Sequence, residues 1–282
     1  MKKILVTGKN SYIGTSFEKW LAKNPDEYQV DTVGTRNAEW KDFDFSSYDV
    51  VFHVAGIAHI KETKKNEHLY YEVNRDLAYE IAKKAREQGI KHFIFLSTMS
   101  VYGLNEGIID DNTPLNPRNA YGKSKLEAEK LISGLETTEF KLAIVRPPMI
   151  YGKDCKGNYT LLSKVAKKVS FFPFYLNERS MLYIENHSEF IKKLIDTQAF
   201  GVFKPQNTEF VNTSHLVKCI SLNNNSNIIM TKLFNPLIKI LKIKVINKVF
   251  GSLVYDKAIS EYNFQYNVVD FDESIRLTES KV

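Results

Sequence analysis

Val6-Thr7-Gly8-Lys9-Asn10-Ser11-Tyr12-Ile13-Gly14 stands where the apolar run Ile4 to Thr7 gives way to the helical periodicity of Ser16 to Lys23. Glycines at such a junction let the backbone turn tightly, and they let pyrophosphate oxygens approach a helix N-terminus whose free N–H groups and dipole favour anions. Outward from this stretch, β-branched and aromatic runs recur at Val30 to Val33, Val50 to Val54, Phe93 to Leu96 and Leu142 to Val145. Between them Leu69 to Gln88 carries helical spacing and closes on Gly89, the residue type of a C-cap. Short strands alternating with long helices need crossover connections, which makes the sheet parallel. The expected fold is α/β: a Rossmann-type doubly wound parallel sheet that binds a dinucleotide at the first strand-to-helix turn.

The 282 residues are 43% hydrophobic and 26% charged, enough apolar mass for one large core or two modest ones. The net charge of +6 and pI near 9.0 would suit a polyanionic partner. The lysines are spread along the chain, however, and no groove-reading or base-stacking motif accompanies them, so a pyrophosphate ligand accounts for the charge more economically than nucleic acid. Cys155 and Cys219 stand far apart, without a Cys-x-x-Cys or Cys/His spacing, and read as reduced thiols with no metal site. The apolar run before Gly8 is too short for a signal-peptide core, and no uncharged stretch reaches the ~20 residues of a spanning helix. The expected location is therefore the cytoplasm.

After Gly152 the α/β rhythm breaks up, with Gly157-Asn158, the cluster Phe171-Phe172-Pro173-Phe174-Tyr175 and the Asn-rich residues 223–227. The division expected is a dinucleotide-binding domain over 1–152 and a smaller C-terminal substrate-binding lobe over 153–282, part of 178–205 packing back on the first. The stretch Ile228 to Phe250, dotted with Lys232, Lys239, Lys242, Lys244 and Lys248, has the composition of a membrane-surface helix. A lobe helix that packs one face and solvates the other is the reading preferred here.

Tyr121-Gly122-Lys123-Ser124-Lys125 brings a phenol and an ammonium to one helix face, since side chains at i and i+4 are neighbours. The charge is expected to pull the phenol below its ordinary pKa of about 10, making a general acid/base for an alcohol or carbonyl. Tyr79/Lys83 repeats the spacing, but in the helix before Phe93 to Leu96, where no strand end presents a partner; it reads as structural. Ligands of an open α/β sheet bind beyond the carboxyl ends of its strands. Ser97 and Thr98, at the end of Phe93 to Leu96, are therefore expected to offer hydroxyls to the oxygen that Tyr121 serves. His53 reads as a strand residue beside the dinucleotide loop, and His59 as a candidate substrate contact, with a structural role preferred for both.

With these residues in place the chain resembles the extended short-chain dehydrogenase/reductases of the NAD-dependent epimerase/dehydratase family, nucleotide-sugar branch. The resemblance rests on Thr-Gly-x-x-x-Tyr-Ile-Gly at 7–14, His53-Val54-Ala55-Gly56, Asn74, Ser97-Thr98 before Val101-Tyr102-Gly103, and Tyr121-x-x-x-Lys125. It continues through Arg146-Pro147-Pro148-Met149-Ile150-Tyr151-Gly152, Gly157-Asn158 and Arg179-Ser180-Met181-Leu182-Tyr183-Ile184. It implies that Gly8, Ser11, Tyr12, Ile13, Gly14, Val54, Ala55 and Gly56 line the dinucleotide, that Asp44 and Phe45 flank its adenine, and that Asn74 and Pro148 lie near its ribose and nicotinamide. It makes Thr98 and Tyr121 catalytic, gives Lys125 both the tyrosine and the ribose, and puts Asn158 and Arg179 on a nucleotide diphosphate. For Arg179 the structural alternative is a salt bridge to Glu178 or Glu185.

Three departures from the family pattern shape the expected function. Ser11 replaces the middle glycine, which leaves less room for the pyrophosphate. Gly34-Thr35-Arg36 follows the second strand where NAD users carry an acid, so Arg36 favours NADP unless a shifted register brings Asp31 there. Met99 and Ser100 replace the Asp-Glu pair of the family's dehydratases, which removes the acid and base that expelling water requires. The reading is an NAD(P)-dependent reductase of a 4-keto nucleotide sugar, with a UDP-glucose 4-epimerase-like enzyme as the alternative and a non-catalytic dinucleotide sensor as a lesser one. The expected partner is a nucleotide sugar, with neither nucleic acid nor membrane insertion, and a homodimer as a candidate assembly.

Overall fold

The computed structural model describes all residues except 59, 241–243 and 281–282, so His59 and Lys242 lie outside the described residues. The chain divides into two compact units, and neither is one continuous stretch. The first comprises Met1–Gly103, Pro114–Pro147 and His187–Pro205; the second comprises Leu104–Thr113, Pro148–Asn186 and Gln206–Val282. No helix among the described residues is long and apolar enough to cross a membrane.

In the first unit the chain runs β1 (Lys2–Thr7), α1 (Tyr12–Leu21), β2 (Tyr28–Val33), α2 (Glu39–Asp42), β3 (Val50–His53), α3 (Glu67–Tyr71), α4 (Leu77–Glu87), β4 (His92–Leu96), α5 (Ala120–Ser133), β5 (Lys141–Val145), α6 (Ile184–Thr197, whose first three residues belong to the second unit) and β6 (Gly201–Phe203). A π-helical turn, Glu72–Asp76, joins α3 to α4. All strands pair in parallel in the order β6-β5-β4-β3-β1-β2, confirming the doubly wound sheet. Because β1 continues to β2 on one side and β3 lies on the other, the switch point falls between the ends of β1 and β3. Gly89, at φ +82°, stops α4 as a C-cap glycine does.

The central strands are buried on both faces, as parallel strands flanked by helices must be. One face seats Leu5, Val51, Phe93, Phe95, Leu142 and Ile144 against Ile81, Ala82 and Ala85 of α4 and Ala128 and Ile132 of α5. The alanines let both helices lie close to the sheet. Phe45 is fully buried in this cluster and its N–H donates to Gln88 Oε1 at 2.7 Å. Its side chain is thus core, while Asp44 beside it is exposed and accepts from Ser46 N–H at 2.9 Å. On the other face Phe17 of α1 meets Phe52 edge-on at 5.2 Å, and Phe190 of α6 meets Phe203 of β6 at 6.0 Å.

The second unit carries three two-stranded parallel pairs: Met149–Tyr151 with Met181–Tyr183, Phe171–Pro173 with Ile229–Thr231, and Gly107–Ile109 with Leu253–Tyr255. Helices Asn158–Ala166, Thr213–Asn223 and Phe271–Glu279 surround the buried carboxylate of Glu279, which accepts from Tyr159, Ser163 and Asn224 and pairs with Lys167 at 2.7 Å. Within this unit His215 and Cys219, one turn apart, bring Nε2 and Sγ to 3.4 Å with Asp272 beside them, a Cys/His spacing that the reading of the cysteines had passed over.

Candidate active site

Gly8 leaves β1 at φ +124°, and a Cβ there would stand 2.9 Å from the Ala55 nitrogen. Only glycine allows the two strand ends to close this far. Ser11 caps α1, its Oγ accepting from Gly14 N–H at 3.1 Å, and a Cβ on Gly14 would meet that Oγ at 2.7 Å. The serine at the family's middle-glycine position is therefore a helix cap. Val54 and Ala55 are buried behind the exposed Gly56, where a Cβ would sit 3.0 Å from Asn74 Oδ1 and 3.4 Å from Lys125 Nζ. Glycine turn, helix N-terminus and a bare Gly56 together form the cradle a dinucleotide requires.

Asn74 comes from the π-helical turn, where one extra residue per turn pushes a side chain inward, a device common at functional sites. Fully buried, it accepts from Ile57 N–H at 2.7 Å and donates to Ile57 O at 3.1 Å and Ser124 Oγ at 3.2 Å. Its amide thus fastens the loop after β3 to α5.

At the end of β4, Thr98 accepts from Ser100 N–H at 3.1 Å, and its hydroxyl stands near enough to the Tyr121 phenol to favour the ionised form. Lys125 Nζ donates to Leu96 O at 2.8 Å and lies over the Phe95 ring at 4.6 Å. Burial lowers Lys125 to about 8 against the opposing pull of Glu129. Burial also raises the Tyr121 phenol, which the Thr98 hydroxyl partly offsets. The expectation that Lys125 pulls Tyr121 down is overturned: the ammonium is committed to the β4 carbonyl, and loss of hydration dominates the phenol. At neutral pH Tyr121 is a neutral hydroxyl, poised to donate. Ser97 is corrected as well, because its hydroxyl donates into Glu129.

Glu129 was not foreseen. Two turns beyond Tyr121 on α5, it pairs with Arg146 through Nε at 3.1 Å and Nη2 at 2.6 Å, and Arg146 Nη1 donates to the Tyr102 hydroxyl at 3.0 Å. The pair ties α5, the end of β5 and the turn after Thr98 into one block. Its signal lay in the i+4 spacing from Lys125, at a position read as ordinary helix. Gly122 was also missed: a Cβ there would sit 2.6 Å from Ser100 O, so only glycine lets α5 bring Tyr121 to Thr98.

After β2, Asp31 is occupied within the strand, accepting from Gln29 and Tyr48. The charged groups beyond the strand are Arg36, exposed, and Glu39, whose carboxylate would stand 2.7 Å from a Cβ on Gly34. His53 is buried, bonded to Thr7 Oγ1 at 2.7 Å and lowered by desolvation to about 3, hence neutral and structural. Pro148, Asn158 and Arg179 belong to the second unit, with Pro148 buried and Asn158 exposed. There the Arg179 backbone bridges Val211 and Leu253, and Nη1 donates to Gly251 O at 2.9 Å rather than to Glu178 or Glu185. Gly251 also lines a groove of about 510 Å³ with Glu106, Tyr175, Asn247 and Ser252. Burial lowers the guanidinium, with Glu106 opposing.

The chain is 32% identical over 252 residues to a UDP-glucose 4-epimerase from Vibrio cholerae, an alignment covering 78% of this chain and 75% of that one. It is also 32% identical over 215 residues to an N-acetyl-alpha-D-glucosaminyl-diphospho-ditrans,octacis-undecaprenol 4-epimerase from Escherichia coli O157:H7, covering 70% of this chain and 64% of the relative. In fold it matches the UDP-glucuronic acid 4-epimerase of Bacillus cereus solved with NAD, with a TM-score of 0.75 at 19% identity across 98% of this chain and 96% of that one. A model described as the NAD dependent epimerase/dehydratase family matches residues 4–202, and with Thr98, Tyr121 and Lys125 assembled beside the glycine cradle, the chain is an enzyme belonging to that family.

Proposed function

We propose that this enzyme inverts the C4 hydroxyl of a hexose carried on a diphosphate, as a 4-epimerase. The observation that carries the reading is the neighbouring Thr98 and Tyr121 hydroxyls on the elements that also carry Lys125 beside Gly56, followed by Met99 and Ser100, which offer no second acid or base. Gly8, the α1 N-terminus, Gly56 and Lys125 would hold a nicotinamide dinucleotide, which when bound would supply reversible hydride acceptance. Oxidation at C4 uses the ionised form of Tyr121: with its own proton passed to solvent, the phenolate takes the proton of the C4 hydroxyl as the carbonyl forms, and the phenol returns it as the alcohol re-forms on the other face. Thr98 holds the same oxygen through both half-reactions, and Lys125, bonded to Leu96 O, fixes the end of β4 that leads into Thr98. Dehydration finds no partner for the leaving hydroxyl. The 4-epimerase relatives support this reading over reduction.

Arg36 favours a second reading, reduction of a 4-keto sugar with an exchangeable NADPH, because its guanidinium suits a 2′-phosphate. One experiment separates them. Purified protein is incubated with UDP-glucose or UDP-N-acetylglucosamine without added cofactor, and separately with a UDP-4-keto-6-deoxy sugar and NADPH. The epimerase reading expects the C4 epimer in the first mixture and no NADPH consumption in the second. Product in the second alone would establish the reductase.

A further inference from the structure

We infer that the second unit docks on an anionic membrane surface through an apolar face ringed by lysines. The expected lobe helix over 228–250, packing one face and solvating the other, is corrected: Ile229–Thr231 is a strand, and Asn235–Ile240 and Lys244–Phe250 are helices; the expected even spread of lysines is corrected by the distribution of acids. Residues 156–177 and 210–255 contain ten lysines and no aspartate or glutamate, while the whole chain has 39 basic and 33 acidic residues. The remainder thus carries 29 basic against 33 acidic residues, so the entire positive excess lies in these two segments, both within the second unit.

The same segments meet in the structure and expose large apolar side chains. Strand Phe171–Pro173 pairs with Ile229–Thr231 in a register that sets Phe171 beside Ile229, both more than half exposed. Phe174 N–H continues the pairing to Thr231 O at 2.8 Å, and the Asn235 amide donates to Phe174 O at 2.9 Å. Leu176 and Leu233, flanking this patch in sequence, are 81% and 79% exposed. Lys232 holds its ammonium 5.6 Å from the Phe174 ring. On helix Asn158–Ala166, Leu161 and Val165 are exposed on the face that also carries Lys164. Lys167 is committed to Glu279.

Apolar side chains standing in water within segments that hold ten lysines and no acid, Glu178 lying just outside them beyond Leu176, match the boundary of an anionic bilayer: rings and leucines in the acyl region, ammonium groups at the headgroup phosphates. A nucleic acid could stack on Phe171 and Phe174, but neither it nor an acidic protein surface would gain from leucines so exposed. The geometry calls for shallow seating and no spanning element. The inference stands apart from the choice between epimerase and reductase.

The test is flotation of the full-length, untagged protein with vesicles of phosphatidylcholine alone or of equimolar phosphatidylcholine and phosphatidylglycerol. Binding to the anionic vesicles alone is expected, weakening as salt shortens the Debye length from about 8 Å to about 3 Å. Leu176→Asp with Leu233→Asp should lower partitioning roughly tenfold or more, with circular dichroism, melting temperature and turnover of soluble substrate unchanged. Lys232→Glu should lower it less and flatten the salt dependence. Absence of flotation, equal flotation of both vesicle types, or equal binding by the aspartate variant would overturn the inference. So would a dimer in light scattering that the aspartate variant dissociates while vesicles are ignored, which would assign the face to a second copy of the chain.

Discussion

Lys125 carries its charge where little water can hydrate it, and that cost can be measured. Its folded pKa of about 8 lies below the usual 10.5, so between these values the unfolded chain binds more protons and stability rises with pH; the penalty is fully present below about 8. Lys125→Met should therefore be more stable relative to wild type near about pH 7 than near about pH 10, as urea midpoints at the two values would show; a constant difference would deny the buried ammonium. Tyr121→Phe should lose at least ~100-fold in turnover with cofactor binding retained, the usual worth of general acid–base catalysis, while Tyr79→Phe keeps wild-type rates. Beyond β2 the cofactor preference is contested between two side chains. If Arg36 clamps a 2′-phosphate, Arg36→Ala weakens NADPH selectively in a fluorescence titration; if Glu39 takes the ribose hydroxyls, Glu39→Gln weakens NADH selectively. The presence of Tyr121, Lys125 and Thr98 was legible because each belongs to a short pattern at a strand or helix end. The direction of the Tyr121 shift was not, since spacing tells which groups are near and burial decides which influence wins.

α5 is held against the Thr98 turn by two features that local patterns do not advertise. A methyl group on Gly122 would collide with the Ser100 carbonyl, so Gly122→Ala should push Tyr121 from Thr98 and lower kcat at least about tenfold, given that misplacements near 1 Å cost up to ~100-fold. Cofactor binding and the melting temperature should change little, whereas a global loss of stability would mean the contact is only packing. Arg146→Met strands the Glu129 carboxylate in the interior, and loss of about 3–5 kcal/mol is expected in denaturant unfolding. Replacing both partners by apolar residues should recover part of it. The strands were legible because β-branched runs such as Val50 to Val54 and Phe93 to Leu96 sit between helical stretches with glycine stops. The Glu129–Arg146 pair was hidden because its partners come from α5 and the end of β5, seventeen residues apart, and a helix-interior glutamate reads as solvated. The core place of the Phe45 ring was equally hidden, because its motif position draws attention to a ligand while an apolar ring beside α4 has a core to fill.

Across the whole molecule, the doubly wound sheet followed from the alternation of strands and helices, but its sixth strand did not, because Gly201–Phe203 is only three residues long and arrives after a long excursion. Through it and α6, Phe190, Ile191 and Leu194 are buried in the first unit. A fragment ending at Pro147 should therefore lack the cover of one sheet face and the neighbour of β5, bind dinucleotide weakly and show little near-ultraviolet dichroism. The same feature has a topological consequence. The chain passes between the two units five times, so every unit boundary is shared by segments distant in sequence. A protease that nicks one of the three inner passages, after Thr113, Pro147 or Asn186, produces two fragments, each of which still owns a share of both cores. They should elute together from a sizing column and part only in denaturant, so that the peptide bond at the nick proves dispensable once the fold has closed around it.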